Sequence, residues 1–198
     1  MKSKQYLILM LVVVVGLFMA SCGAGKKAAA TAAIQAAEDA YNAAKPQLEK
    51  YVPDEAKGVQ DAIDGAKASL EKHDYTTALT AAQAVPGKVK ELTAAAAAKK
   101  DELTKNWQEM SPGISKMLQT IRGKLTLWSI PKEMPRNLNK AKLKTARSGY
   151  EEATARWEEA KNAFAHGNLP SATAKADTVR TKAMEIMTSL GIKAPAVH

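Results

Sequence analysis

From residue 26 onward, apolar side chains recur at alternating spacings of three and four, and polar residues fill the positions between them. Ile34, Ala37, Tyr41, Ala44, Leu48 and Tyr51 form the first such stripe and predict a helix over roughly 26–51. Pro46 sits inside it and should bend or interrupt it, because proline has no amide to donate. Pro53 followed by Asp54 and Glu55 fits a helix start, where a proline costs nothing and carboxylates meet the positive end of the dipole. Ala56, Val59, Ile63, Ala66 and Leu70 then give a second helix. His73-Asp74 reads as a turn, with Asp74 as N-cap of the next element.

The third stripe runs through Tyr75, Leu79, Ala82, Val89, Leu92, Ala96, Leu103, Trp107 and Met110, and Pro86-Gly87 should kink or divide it. Ser111-Pro112-Gly113 reads as a stop. Ile114, Met117, Leu118, Ile121, Leu125 and Trp128 predict a shorter fourth helix. Pro131 and Pro135 each push the preceding residue out of helical geometry, which makes 128–135 a structured crossover loop. Ala146, Tyr150, Ala153, Trp157, Ala160 and Phe164 give a fifth helix. After Gly167-Asn168, a sixth runs from Ala172 through Ala176, Val179, Ala183 and Ile186 to Leu190, closed by Gly191, and 193–198 should fray.

These elements predict an all-α fold: an elongated, Ala-rich antiparallel helical bundle of two related hairpins, with a shorter central helix and a double-proline loop. The expected organisation is 1–21 signal peptide, 22–27 tether, 28–110 N-terminal hairpin region, 111–137 basic linker helix and loop, and 138–198 C-terminal hairpin. Composition agrees, since 38 of the 198 residues are alanine and only 5% are aromatic, which disfavours disorder and β-rich folds.

The N-terminus follows a different pattern. Lys2 and Lys4 precede an apolar run from Tyr6 to Ala20, too short for a stable membrane span and typical of a signal peptide. Met19-Ala20-Ser21-Cys22 resembles the lipobox of bacterial lipoproteins, with Met19 where leucine is usual. That resemblance implies that Cys22 is acylated through its sulfur and becomes the mature N-terminus. It implies localisation on the bacterial envelope, and Gly23 in place of a retaining aspartate implies the outer membrane, facing the periplasm. Cys22 is the only cysteine, so the anchor consumes the one thiol.

The two ends of the chain also resemble each other. A shift of 94 places Ala66, Lys67, Leu70, Asp74, Tyr75, Thr77, Ala78, Val85, Lys88 and Glu91 on Ala160, Lys161, Phe164, Asn168, Leu169, Ser171, Ala172, Val179, Lys182 and Glu185. This Ala-rich hairpin with an Asp or Asn turn resembles the helical-hairpin lipoproteins of unknown function found in many Gram-negative bacteria. It is loosely similar to a tetratricopeptide hairpin, whose turn is likewise followed by an aromatic and an alanine.

Candidate chemistry is sparse. His73, His166 and His198 form no evident metal triad, and neither HExxH, paired cysteines, an EF-hand loop nor GxSxG occurs. Gly23-Ala24-Gly25-Lys26 lacks the full phosphate-loop spacing. The acidic pairs Glu151-Glu152 and Glu158-Glu159, seven apart, fit a solvated face. Trp107 and Trp157 fall on core stripes, whereas Trp128 suits either a core or a surface contact. The expectation is therefore no enzyme, no cofactor and no metal site.

Charge is more informative in its distribution than in its sum. The formal charge is +9, and loss of Lys2 and Lys4 leaves 27 basic against 20 acidic side chains. Lys116, Arg122, Lys124, Lys132, Arg136, Lys140, Lys142, Lys144 and Arg147 are opposed only by Glu133 between 112 and 147. Such an excess suits either a solvated basic face or a site for phospholipid headgroups, lipopolysaccharide, cell-wall polymer or an acidic partner. An extracytoplasmic address and the lack of a binding motif argue against nucleic acid. The expected function is a non-enzymatic envelope lipoprotein acting as helical scaffold or protein-interaction module, with anion binding through 112–147 as the alternative.

Overall fold

The computed structural model describes residues 24–136 and 138–193. They form five α-helices and one 3-10 turn: α1 (Ala24–Tyr51), α2 (Pro53–Glu71), α3 (Tyr75–Leu127), the turn Pro131–Glu133, α4 (Lys140–Ala165) and α5 (Leu169–Ser189). No strand occurs among the described residues, and the fold is an all-α helical bundle. The expected signal peptide, Cys22 and, of the predicted fraying end 193–198, residues 194–198 lie outside the described residues.

Two compact units divide between Ala96 and Ala97, within α3. Unit 1 contains α1, α2 and the first part of α3. Its core is built from Ile34, Ala37, Tyr41 and Leu48 of α1, Val59, Ile63 and Ala66 of α2, and Ala78, Ala82, Val85 and Val89 of α3. Unit 2 contains the rest of α3 with α4 and α5. Its core is larger in side-chain volume, with Trp107, Ile114, Met117, Ile121 and Trp128 meeting Trp157 of α4 and Val179, Ile186 and Met187 of α5. Trp107 stacks on Trp157 at 5.3 Å between ring centres and on Phe164 at 4.6 Å. These contacts pair the middle of α3 with the far end of α4, so the two helices run antiparallel. At Gly149 of α4 a Cβ would stand 3.3 Å from Ile186 Cδ1, a close approach to α5 that favours the missing side chain. Between the two cores, residues 97–106 bury no side chain.

The repeated hairpin turn is reproduced bond for bond. In unit 1, His73 N–H donates to Leu70 O at 3.1 Å and Asp74 N–H to Ser69 O at 2.9 Å, with His73 left-handed at φ 63°. In unit 2, Gly167 N–H donates to Phe164 O and Asn168 N–H to Ala163 O, both at 2.8 Å, with Gly167 at φ 69°. Each pair of atoms is related by the shift of 94. This is the Schellman closure, in which a left-handed residue satisfies carbonyls that the helix end leaves free. The predicted caps hold as well: Asp74 Oδ1 accepts from Thr77 N–H at 3.1 Å, and Asn168 Oδ1 from Ser171 N–H at 3.4 Å. His73 occupies its left-handed position at a steric cost that Gly167 avoids.

The helices are divided at none of the three expected places. Pro46 and Pro86 lie within unbroken α1 and α3, and Ser111-Pro112-Gly113 is no stop, so the separate central helix does not exist. The apolar register explains this. Trp107, Met110, Ile114, Met117, Ile121 and Leu125 keep their spacing straight across residues 111–113, on a face buried in unit 2. An interior proline costs about 3 kcal/mol, and burial of each large aliphatic side chain returns about 1.5–3 kcal/mol, so the stripe outweighs the breaker. Pro112 is exposed, which leaves the carbonyl it frees to water.

The double-proline loop is ordered as the sequence implies. Ile130 and Met134, each preceding a proline, are extended at φ/ψ of −85/119° and −76/124°. Asn139 then caps α4, its side chain accepting from Lys142 N–H at 2.9 Å. The helix begins six residues before the first stripe residue, Ala146, because this cap starts it.

Candidate functional site

The nine cations of the 112–147 segment flank the α3–α4 loop. Lys116, Arg122 and Lys124 lie on the end of α3, Lys132 and Arg136 in the loop, and Lys140, Lys142, Lys144 and Arg147 on the start of α4. All are exposed except Lys124, which is half-buried with its ammonium 5.5 Å from the centre of the Trp128 ring. None has a carboxylate within 4.0 Å among the described residues. Elsewhere in unit 2, Lys99, Lys105, Arg156, Lys161, Lys175, Arg180 and Lys182 each reach one. Glu102, Glu109, Glu152, Glu158, Glu159 and Asp177 are thus engaged with other cations, while Asp101, Glu151 and Glu185 of unit 2 pair with none among the described residues.

Local helix energetics does not account for the segment either. Lys124 in the last turn of α3 is favoured by the dipole, but Lys140 and Lys142 stand in the first turn of α4, which has no acidic residue. Cations there meet the positive end of the dipole and weaken the helix by a few tenths of a kcal/mol each.

The loop between these helices is fastened from within and presents two exposed apolar side chains at its α3 end. Trp128 and Leu138 are buried in the unit 2 core and Met134 packs against it. Ser129 Oγ donates to Thr126 O at 2.6 Å, and Ile130 N–H to Leu127 O at 3.1 Å. Yet Leu127 is 40% and Ile130 52% exposed, two of the three exposed large hydrophobic side chains among the described residues. Trp128, the residue the sequence left open, belongs to the core.

A second surface lies between α2 and α3 in unit 1. It is a groove of about 520 Å³ lined by small or apolar side chains, among them Val59, Ala62 and Gly65 of α2 and Ala81, Ala84 and Val85 of α3, with Lys88 at its edge. The repeat places charged residues at the same positions of unit 2. Ala62, Gly65 and Ala81 correspond to Arg156, Glu159 and Lys175. Lys175 donates to Glu159 across the α4–α5 groove, and Lys182 and Arg156 both reach Glu152. The hydrogen bond from Lys175 holds the Glu159 carboxyl below its ordinary range. Both copies leave a groove, about 520 Å³ in unit 1 and about 660 Å³ in unit 2, but the first is lined by small apolar side chains and the second by charged ones such as Glu152, Arg156 and Lys182.

Comparison with family models, curated proteins and solved structures found no match to this chain. Function is read from its own surfaces.

The remaining candidates come to less. His73 and His166 are exposed turn residues, the latter with Nδ1 2.8 Å from Asn162 O. Glu152, Glu158 and Glu159 are spent on ion pairs and Glu151 is exposed. Among the described residues no group of His, Cys, Asp or Glu is placed to hold a metal ion, and no helix is long and apolar enough to cross a membrane. The unit 1 groove escaped the sequence reading, which aligned the two hairpins by their similarities. Its signal was in the differences, where small residues of one copy face charges in the other.

Proposed function

We propose that the protein is a non-enzymatic envelope lipoprotein, anchored by lipid on Cys22, whose helical units act as a protein-interaction module in the periplasm. The lipobox resemblance supports the anchor and the address. The observation that carries the interaction reading is the lining of the unit 1 groove, small and apolar where the equivalent groove of unit 2 is charged. Small residues let a partner helix approach the backbone closely, so that contact area accumulates without long side chains to order.

The test is a photo-crosslinking residue placed at Ala84 or at its counterpart Thr178 in the full chain in cells. A discrete adduct from Ala84, absent from Thr178 and lost when Gly65→Glu and Ala81→Lys are added, is the expected result. Equal labelling from both positions overturns the groove reading. Independently, Cys22→Ser should abolish incorporation of labelled fatty acid, and undiminished labelling overturns the anchor.

The unpaired cations favour a second reading, binding of an anionic envelope component through the 112–147 segment. Nine cations without carboxylate partners give a local potential that solvent and salt only partly screen.

A further inference from the structure

The α3–α4 loop joins two properties that are seldom neighbours on a soluble surface. Leu127, the last residue of α3, and Ile130 of the loop stand exposed three residues apart, beside Trp128, Met134 and Leu138, which pack into the unit 2 core. Along the chain on either side of them stand Lys124, Lys132, Arg136, Lys140 and Lys142, with Glu133 the one carboxylate of the loop. An apolar tip alone would suit many partners, and a basic face alone would suit any polyanion. An apolar tip inside a basic collar matches the boundary of an anionic bilayer, where acyl chains lie beneath a layer of negative headgroups. The stems of the lysines and arginines can follow the apolar tip inward while their charges stay at headgroup level.

The position of the charges agrees with this. At 1.5 Å rise per residue, Arg122 and Lys144 stand about 6–8 Å along their helices from the loop, within a Debye length of a surface the loop touches. Lys140 and Lys142 oppose the α4 dipole, a local cost that an anionic surface reverses by supplying the negative charge which the first turn lacks.

We infer that the α3–α4 loop is a membrane-insertion tip for an anionic phospholipid bilayer, with Leu127 and Ile130 entering the acyl boundary and the surrounding cations holding the headgroups. This rests on the anionic-surface reading of the basic segment and adds to it a source and a depth. It gives the protein a bilayer contact in unit 2, separate from the N-terminal lipid.

The experiment uses residues 24–198, which contain all five described helices and both cores, so that neither the apolar N-terminal run nor an acyl chain contributes. Binding is measured to vesicles of phosphatidylglycerol with phosphatidylcholine, to phosphatidylcholine alone, and to immobilised polyphosphate, at low and moderate salt. Quenching of tryptophan by brominated acyl chains reads depth, with Trp128→Phe reporting how much comes from the tip. Expected are salt-sensitive binding to the anionic vesicles and bromolipid quenching that Trp128→Phe removes. Leu127→Ser with Ile130→Ser should lower vesicle affinity on the order of tenfold per residue and leave polyphosphate binding unchanged. Lys140, Lys142 and Lys144 changed together to glutamine should lower both by roughly a hundredfold at low salt. Salt-sensitive binding to vesicles and polyphosphate alike, unmoved by the Leu127/Ile130 variant and without quenching, overturns insertion and leaves the anionic-surface reading standing. Equal, salt-insensitive recovery from anionic and neutral vesicles with no polyphosphate binding overturns both.

Discussion

Units 1 and 2 share a hairpin turn to the level of single hydrogen bonds, yet they differ in what fills the core and in what covers the outer groove. Half of the fourteen buried core residues of unit 1 are alanine, which brings the backbones together and leaves the α2–α3 groove shallow, apolar and uncovered. Unit 2 is propped by Trp107, Trp128 and Trp157, and its α4–α5 groove is crossed by Glu159–Lys175 and Glu152–Lys182. The same turn therefore supports two kinds of surface. Turn geometry fixes where the helices reverse, while the side chains along them decide whether the resulting groove is lined by apolar or by charged groups.

The sharpest way to break this comparison is Trp107→Ala. Removing a ring stacked on both Trp157 and Phe164 should cost unit 2 about 3–5 kcal/mol. Hydrogen exchange should show lost protection in α4 and α5 while α1 and α2 keep theirs. Parallel loss in all four would mean that the two cores melt as one. Tryptophan fluorescence gives an independent reading, because all three tryptophans belong to unit 2.

Smaller in effect, Ala66→Leu and Ala160→Leu probe equivalent buried positions of the two copies, both fully inaccessible. Each should overpack its helix contact and cost about 1–3 kcal/mol, read as a lowered urea midpoint. A variant that melts like the parent would show its helices free to separate.

The smallest difference lies in the turn caps. Asn168→Ala should cost about 1 kcal/mol at any pH, because an amide cap does not titrate. The Asp74 carboxyl is held below its ordinary range by the Thr77 side chain and then the Thr77 amide. A lowered folded-state value stabilises the protein above the ordinary carboxylate range, and that contribution fades as pH falls through the lowered value. Amide exchange at residues 74–78 should thus quicken in acid before that at 168–172. Acid will also release Glu159 from Lys175, but at the helix faces of unit 2 and not at its turn. Equal acceleration at both turns would remove the distinction between the caps.

Much of the fold was legible because each helix buries one face, so burial and periodicity coincide. Ile34, Ala37, Tyr41 and Leu48 lie on one stripe and in one core, and the Asp74 and Asn168 caps follow from residue type and place. The stop expected at Ser111-Pro112-Gly113 does not occur, because local propensity there is overridden by burial of the apolar stripe that crosses it, and neither Pro46 nor Pro86 divides its helix. Of the surfaces, the basic segment was visible as a run of charge along the chain. Its lack of carboxylate partners was not, since pairing depends on which helix faces meet. The exposure of Leu127 and Ile130 was hidden for the same reason: both continue an apolar pattern whose neighbours, Leu125 and Trp128, are buried.

The clean division of the cores has a consequence for synthesis. The core of unit 1 runs from Ala30 to Ala96 and uses nothing beyond it, whereas that of unit 2 runs from Trp107 to Leu190. A chain delivered from its N-terminus can therefore close its first core while the second is still arriving, with mostly short-range contacts and no wait for distant segments. Unit 2 has no such liberty. Leu190 is part of its core, so its half of α3 must stay exposed until the segment through Leu190 has been delivered. Those apolar positions, Ile114, Met117 and Ile121 among them, are where a stalled or truncated chain would first be recognised as incomplete.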